Sequence, residues 1–110
     1  NAIFEEYKGA LTEQYVLQEL KTLGRIPLCY WTGGVSEVDF VAQLEGCVVP
    51  IEAKAGINLK AKSLTVYRQK YAPPVAIRTS LAEYSAKNGL LDIPLYLLGS
   101  LPRILTEYAD

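Results

Sequence analysis

Residues 37–54 read Glu37-Val38-Asp39-Phe40-Val41-Ala42-Gln43-Leu44-Glu45-Gly46-Cys47-Val48-Val49-Pro50-Ile51-Glu52-Ala53-Lys54, two strand-like runs around an acid-glycine turn. A two-residue turn at Glu45-Gly46 pairs Leu44 with Cys47, Ala42 with Val49, Phe40 with Ile51 and Val38 with Ala53. Every side chain on that face is apolar, so the face is expected to meet the core. A bulge at Gly46 or Pro50 would slip the pairing, and the apolar face argues against a net slip. The other face then sets Asp39 against Glu52 and Glu37 against Lys54. Directly opposed carboxylates with Cβ atoms roughly 5 Å apart repel by about 3 kcal/mol at an effective dielectric near 20. The pair therefore calls for a shared proton or a cation, and a metal ion would serve.

Working outward, residues Ile3 to Leu23 carry a helical pattern that Gly24 and Pro27 close. At about 100° per residue, Gly9, Ala10, Val16, Leu17 and Leu20 surround Glu13, which places a carboxylate inside an apolar stripe. A second stripe, Phe4, Tyr7, Leu11 and Tyr15, lies on the opposite side. It fits ordinary core or a surface that meets an upstream domain. Strands are expected at Leu28–Trp31, Glu37–Leu44 and Cys47–Lys54, with a Gly33-Gly34 turn after the first. A loop with Gly56 and Asn58 leads to a helix from about Lys60 to Tyr71, ended by Pro73 and Pro74. Val75–Arg78 reads as a strand, residues 80–89 as a short helix or loop closed by Asn88-Gly89, and Ile93–Leu98 as a further strand. The tail after Pro102 is open. The order αβββαβ(α)β predicts an α/β domain, in detail an α+β mixed sheet flanked by helices, spanning residues 1–110 as one unit.

The chain has 110 residues, 50% of them apolar, with 11 basic and 12 acidic side chains. That composition describes one globular domain able to bury a core without metal or disulfide staples. Histidine is absent, which excludes Ser-His and Cys-His triads and histidine-containing zinc sites. Cys29 and Cys47 are expected as free thiols in a cytoplasmic protein, since no signal peptide is visible. The most apolar window, Leu90 to Leu101, is broken by Asp92 and Pro94, so no membrane span is expected. Neither glycine-rich phosphate-binding spacing occurs, so no nucleotide cofactor is expected in this stretch. The chain opens on Asn1 and enters a helix within a few residues, as a fragment of a longer protein would.

Residues 1–52 carry 3 basic and 8 acidic side chains, and residues 53–110 carry 8 and 4. Between Lys54 and Arg78 stand Lys54, Lys60, Lys62, Arg68, Lys70 and Arg78 with no acid among them. Such a run fits a phosphate track or a solvated helix face. Tyr30 and Trp31 fit base stacking or, more commonly, core, and Tyr67 and Tyr71 at i, i+4 spacing fit packing on the sheet.

The triplet Glu-x-Lys occurs three times, at residues 6, 19 and 52, and only the last falls on an expected strand, where i and i+2 share a face. The combination Glu13 … Asp39 … Glu52-x-Lys54 resembles the restriction-endonuclease-like, or PD-(D/E)-x-K, nuclease superfamily, whose αβββαβ core has the same element order. A closer likeness covers nearly the whole chain. Gly9-Ala10-Leu11-x-Glu13, Tyr30-Trp31, Glu37-Val38-Asp39-Phe40-Val41, Pro50-Ile51-Glu52-Ala53-Lys54, Lys62-Ser63-Leu64 and Lys87-Asn88-Gly89 followed by Ile93-Pro94-Leu95-Tyr96 are similar to an uncharacterised C-terminal domain of prokaryotic AAA-type ATPases. In those proteins a P-loop ATPase module precedes the domain. The superfamily's leading Pro-Asp pair is not matched, because Val38 precedes Asp39.

The resemblance implies Mg²⁺- or Mn²⁺-dependent hydrolysis of DNA phosphodiesters. Asp39, Glu52 and the Ala53 carbonyl would be protein ligands, with Glu13 reaching the ion through a water. Lys54 would orient or deprotonate the attacking water and meet developing charge. It equally implies partners, the upstream ATPase module and DNA. The alternative is a nuclease fold that no longer cuts and serves the ATPase as a docking or nucleic-acid-sensing module. In the plainest reading Glu37 and Lys54 form a cross-strand ion pair and Asp39 contacts a loop amide.

Overall fold

The computed structural model describes residues 2–23, 28–34, 36–44, 46–56 and 61–109. The expected helix stop at Gly24 and Pro27, the turn residue Glu45, Asn58, the helix start at Lys60 and the side chain of Phe4 lie outside the described residues.

Helix α1 spans Ala2–Thr22, strands β1 (Leu28–Gly33), β2 (Ser36–Leu44) and β3 (Cys47–Ala53) follow, and helix α2 covers Lys62–Tyr71. Then come β4 (Ala76–Ser80), β5 (Ser85–Lys87), β6 (Leu90–Pro94), a 3-10 turn at Leu95–Ser100 and helix α3 (Leu101–Ala109). The strands form one sheet in the order β1-β2-β3-β4-β6-β5. Pairing is antiparallel for β1/β2, β2/β3 and β5/β6, and parallel for β3/β4 and β4/β6. The domain is therefore a mixed α+β structure, as the order of sequence patterns predicts.

Two apolar clusters coat the two faces. On one, Val16 and Leu20 of α1 meet Ala42, Leu44, Val49, Ile51, Ile77, Leu91 and Ile93 of the sheet, with Leu98, Leu101 and Leu105 behind them. On the other, Val38, Val41 and Ala76 are covered by Leu64 and Tyr67 of α2, with Trp31 against them. Full burial of each such aliphatic side chain contributes about 1.5–3 kcal/mol. The spacing of buried residues explains the helices: 16 and 20 in α1, 64 and 67 in α2, 101 and 105 in α3 each repeat once per turn.

The hairpin register is the one expected, with Leu44 facing Cys47, Ala42 facing Val49 and Phe40 facing Ile51. Beyond Phe40 the expectation fails. Cys29 faces Val41 but Trp31 faces Val38, so β2 spends one residue more than β1 over that interval, which is a β-bulge at Asp39-Phe40. The bulge turns Val38 to the α2 side of the sheet, away from the face shared by Phe40 and Ala42. Cys47, expected on the core face, is exposed at the hairpin end.

Three other readings change. Residues 80–89 contain the exposed strand β5, joined to β6 by Asn88 and Gly89, both at positive φ (52° and 80°). That is the primed two-residue hairpin turn for which Asn-Gly is suited. The last strand is Leu90–Pro94, not Ile93–Leu98, and the chain coils into the 3-10 turn directly after Pro94, the ring of which offers no N–H to a ladder. The open tail is α3, amphipathic, with Pro102 tolerated in its first turn. Gly33 is needed where it stands, because a Cβ there would strike the ring of Trp31. No described helix is long and apolar enough to cross a membrane.

Candidate functional site

The bulge in β2 decides the site. Asp39 sits at the point where β2 leaves the regular ladder, and its Oδ2 accepts the main-chain N–H of Ala53 at 2.8 Å. The directly opposed pairs Asp39/Glu52 and Glu37/Lys54 are not part of the observed ladder, which stops at Phe40/Ile51. The two carboxylates meet nonetheless. Asp39 lies close enough to Glu52 of β3 and to Glu13 of α1 to raise the proton affinity of both. A helix and two strands thus bring Glu13 and Glu52 each within electrostatic reach of Asp39.

Carboxyl groups set close together in a partly desolvated place favour keeping a proton among them. Glu52 is buried, and its pKa is pushed up to about 8, first by burial, then by its hydrogen bond with Asp39 and the charge on Asp39, with Lys54 acting in the opposite sense. Glu13, although exposed as a residue, is raised to about 7, first by desolvation and then by the nearby Asp39 and Glu37. Both groups hold protons more tightly folded than unfolded, so their contribution to stability is present below about pH 4.5 and is lost as pH rises through about 7 to 8. The Tm of the native chain is therefore expected to fall between pH 5 and pH 8.5, and Glu52→Gln to flatten that fall. A native Tm as steady as that of the variant would contradict the shared-proton geometry.

Lys54 follows β3 directly, and its main-chain N–H donates to the Thr79 carbonyl at 2.9 Å, continuing the parallel pairing with β4. Among the described residues it forms no ion pair with Glu37. Glu37 instead donates its main-chain N–H to Ser63 Oγ at 3.1 Å, tying β2 to the start of α2. The plain reading of a Glu37–Lys54 pair is therefore incorrect. The plain reading of Asp39 is half right, since it does accept an amide, that of Ala53.

Among the described residues no group of three His, Cys, Asp or Glu side chains is set to hold a metal ion. The acids meet pairwise through Asp39. Mg²⁺ uses one or two carboxylates with waters and a substrate oxygen, so the hard-oxygen chemistry of Asp39 and Glu52 fits it.

One pair near the site escapes the sequence reading. Arg78 Nε lies 2.6 Å from Asp92 Oδ1 and its Nη2 lies 2.9 Å from Oδ2, a bidentate bridge between β4 and β6. Glu52, Arg78, Asp92 and Ser85 occupy successive register positions across β3, β4, β6 and β5. The available signal was Asp92 itself, an acid inside an apolar strand that must bury with a cation. The basic run from Lys54 to Arg78 is divided by the fold: Arg78 faces Asp92, Arg68 donates to the Asn88 carbonyl at 2.6 Å, and Lys62 and Lys70 point outward. On α1, Tyr7, Leu11 and Tyr15 of the second stripe are exposed at 62%, 53% and 42%.

Fold and site together define a mixed-sheet α+β domain with an acidic cluster gathered between its first helix and its central hairpin. The chain belongs to the family described as "Domain of unknown function (DUF4143)", whose sequence pattern matches residues 8–98 and so takes in Glu13, Asp39, Glu52 and Lys54. No curated protein and no solved structure matches the chain.

Proposed function

We propose that the chain is a divalent-metal-dependent phosphodiesterase of the restriction-endonuclease-like kind, hydrolysing DNA as the C-terminal module of a P-loop ATPase. The observation that carries this reading is Asp39, anchored by the Ala53 amide, within electrostatic reach of Glu13 and Glu52, with Lys54 acting on Glu52. The α1-β1-β2-β3-α2-β4 order supports the superfamily. The uncovered stripe of Tyr7, Leu11 and Tyr15 supports a neighbouring module of the same protein.

Mg²⁺ or Mn²⁺ would be held by Asp39, Glu52 and the Ala53 carbonyl, with Glu13 acting through a water, and when bound would supply Lewis acidity and a more acidic water. The side chains do the rest. The Ala53 amide fixes Asp39 in one orientation. Lys54, whose charge reaches Glu52, orients the attacking water and opposes the negative charge that grows on the phosphate oxygens. Glu52 would give up its proton to ligate the cation and would then help hold that water.

The test is calorimetric titration of the folded chain with Mn²⁺. Saturable heat is expected at millimolar metal, and none in Asp39→Ala. Absence of heat from the native chain would overturn the hydrolytic reading in favour of a second, that the fold docks or senses nucleic acid for the ATPase without cutting; the exposed stripe on α1 is the observation that favours it.

A further inference from the structure

The side of α2 turned from the sheet is basic and ends at an aromatic rim. Lys62, Val66 and Lys70 fall within about 80° of the helix circumference, and all three are exposed. Among the described residues neither lysine is ion-paired, and no acid stands anywhere between Lys54 and Arg78. At the end of the helix Lys70 Nζ lies 5.6 Å from the centre of the Tyr71 ring. Tyr71 is 51% exposed, yet it is held from below: Trp31 meets it edge-on at 6.0 Å and donates Nε1–H to its hydroxyl at 3.3 Å, and Tyr67 lies 4.8 Å away. A ring fixed by its neighbours and open to solvent is a ready stacking surface. The other end of α2 touches β2 through Ser63 and Glu37, two residues from Asp39.

We propose that this face binds single-stranded DNA, its phosphates along Lys62 and Lys70 and one unpaired base on Tyr71, and leads the strand to the carboxylates. The purpose of the surface rests on the hydrolytic reading, whereas its binding does not. Stacking, more than charge, favours a single strand here. Duplex affinity grows with the number of phosphates neutralised, and two lysines supply little, whereas a base stacked on an aromatic ring adds about 1–3 kcal/mol and requires that base to be unstacked from its neighbours.

Fluorescence anisotropy with a labelled oligothymidylate, and with a duplex of equal length, tests this in EDTA at low salt. The single strand is expected to bind saturably and at least about tenfold more tightly than the duplex. Tyr71→Ala should weaken it about tenfold, and the double change K62E/K70E, which touches only exposed side chains, should weaken it further with an unchanged circular-dichroism spectrum. Duplex binding as tight as the single strand, tighter binding of oligouridylate, or a K62E/K70E protein that binds like the native chain would each overturn the inference. Because metal is withheld, the two readings fail separately. A strand that is bound but never cut with Mn²⁺ present removes only the hydrolytic reading. Cutting that ignores Lys62, Lys70 and Tyr71 removes only this one.

Discussion

Lys54→Ala is expected to lower Mn²⁺-dependent DNA cleavage about 10²–10⁴-fold, the loss that removal of one positioned proton-transfer or charge-stabilising group produces. Asp39→Ala should abolish it to the limit of detection, since Asp39 influences both other acids and is fixed by the Ala53 amide. The two variants should differ in metal affinity. Lys54→Ala leaves the carboxylates in place and should still give heat with Mn²⁺, whereas Asp39→Ala should not. Lys54 is half-buried at the end of β3, so its truncation leaves the apolar clusters intact, and a thermal melt checks this. Cleavage of native rate in either variant would show that the acids and the lysine serve the fold alone.

The second large effect is on stability. Asp92→Ala is expected to cost about 3 kcal/mol, or roughly 12 °C in Tm for a domain of this size. Both ends of the bridge are largely buried, at 17% and 11% side-chain exposure, and the alanine leaves the Arg78 guanidinium facing the vacated space. The cost comes from breaking a largely buried bridge from one side only, so the double change Arg78→Met with Asp92→Leu should recover most of the loss. A single-variant loss below about 1 kcal/mol would mean that water reaches the pair and screens it. Because Arg78 stands beside Glu52 in register, cleavage by the double variant also shows whether the bridge positions the site or only joins β4 to β6.

Much of this architecture was legible in the chain. The Glu45-Gly46 hairpin and its register follow from alternation on either side of a turn, since slipping by one residue would expose the whole apolar set. The three helices differ in this respect. α1 and α2 declare themselves by apolar residues once per turn and by terminating glycine or proline, while α3 is too short for its period to stand out beside the 3-10 turn before it. Strand β5 carries no alternation at all, because all three of its residues are exposed; only its Asn88-Gly89 turn announces it, and that turn closes a short helix or loop equally well.

The sequence by itself determined the mixed-sheet class, the central hairpin and the candidates Glu13, Asp39, Glu52 and Lys54, because periodicity and turn chemistry are local and a charge placed within an apolar pattern is conspicuous. Only the tertiary structure decided that β2 bulges at Asp39, that Val38 turns to α2, and that Arg78 meets Asp92 across parallel strands. The reason is physical. A bulge is the misfit between two strands, and a parallel neighbour is chosen by the path of the intervening chain, so neither is a property of any stretch of residues read alone.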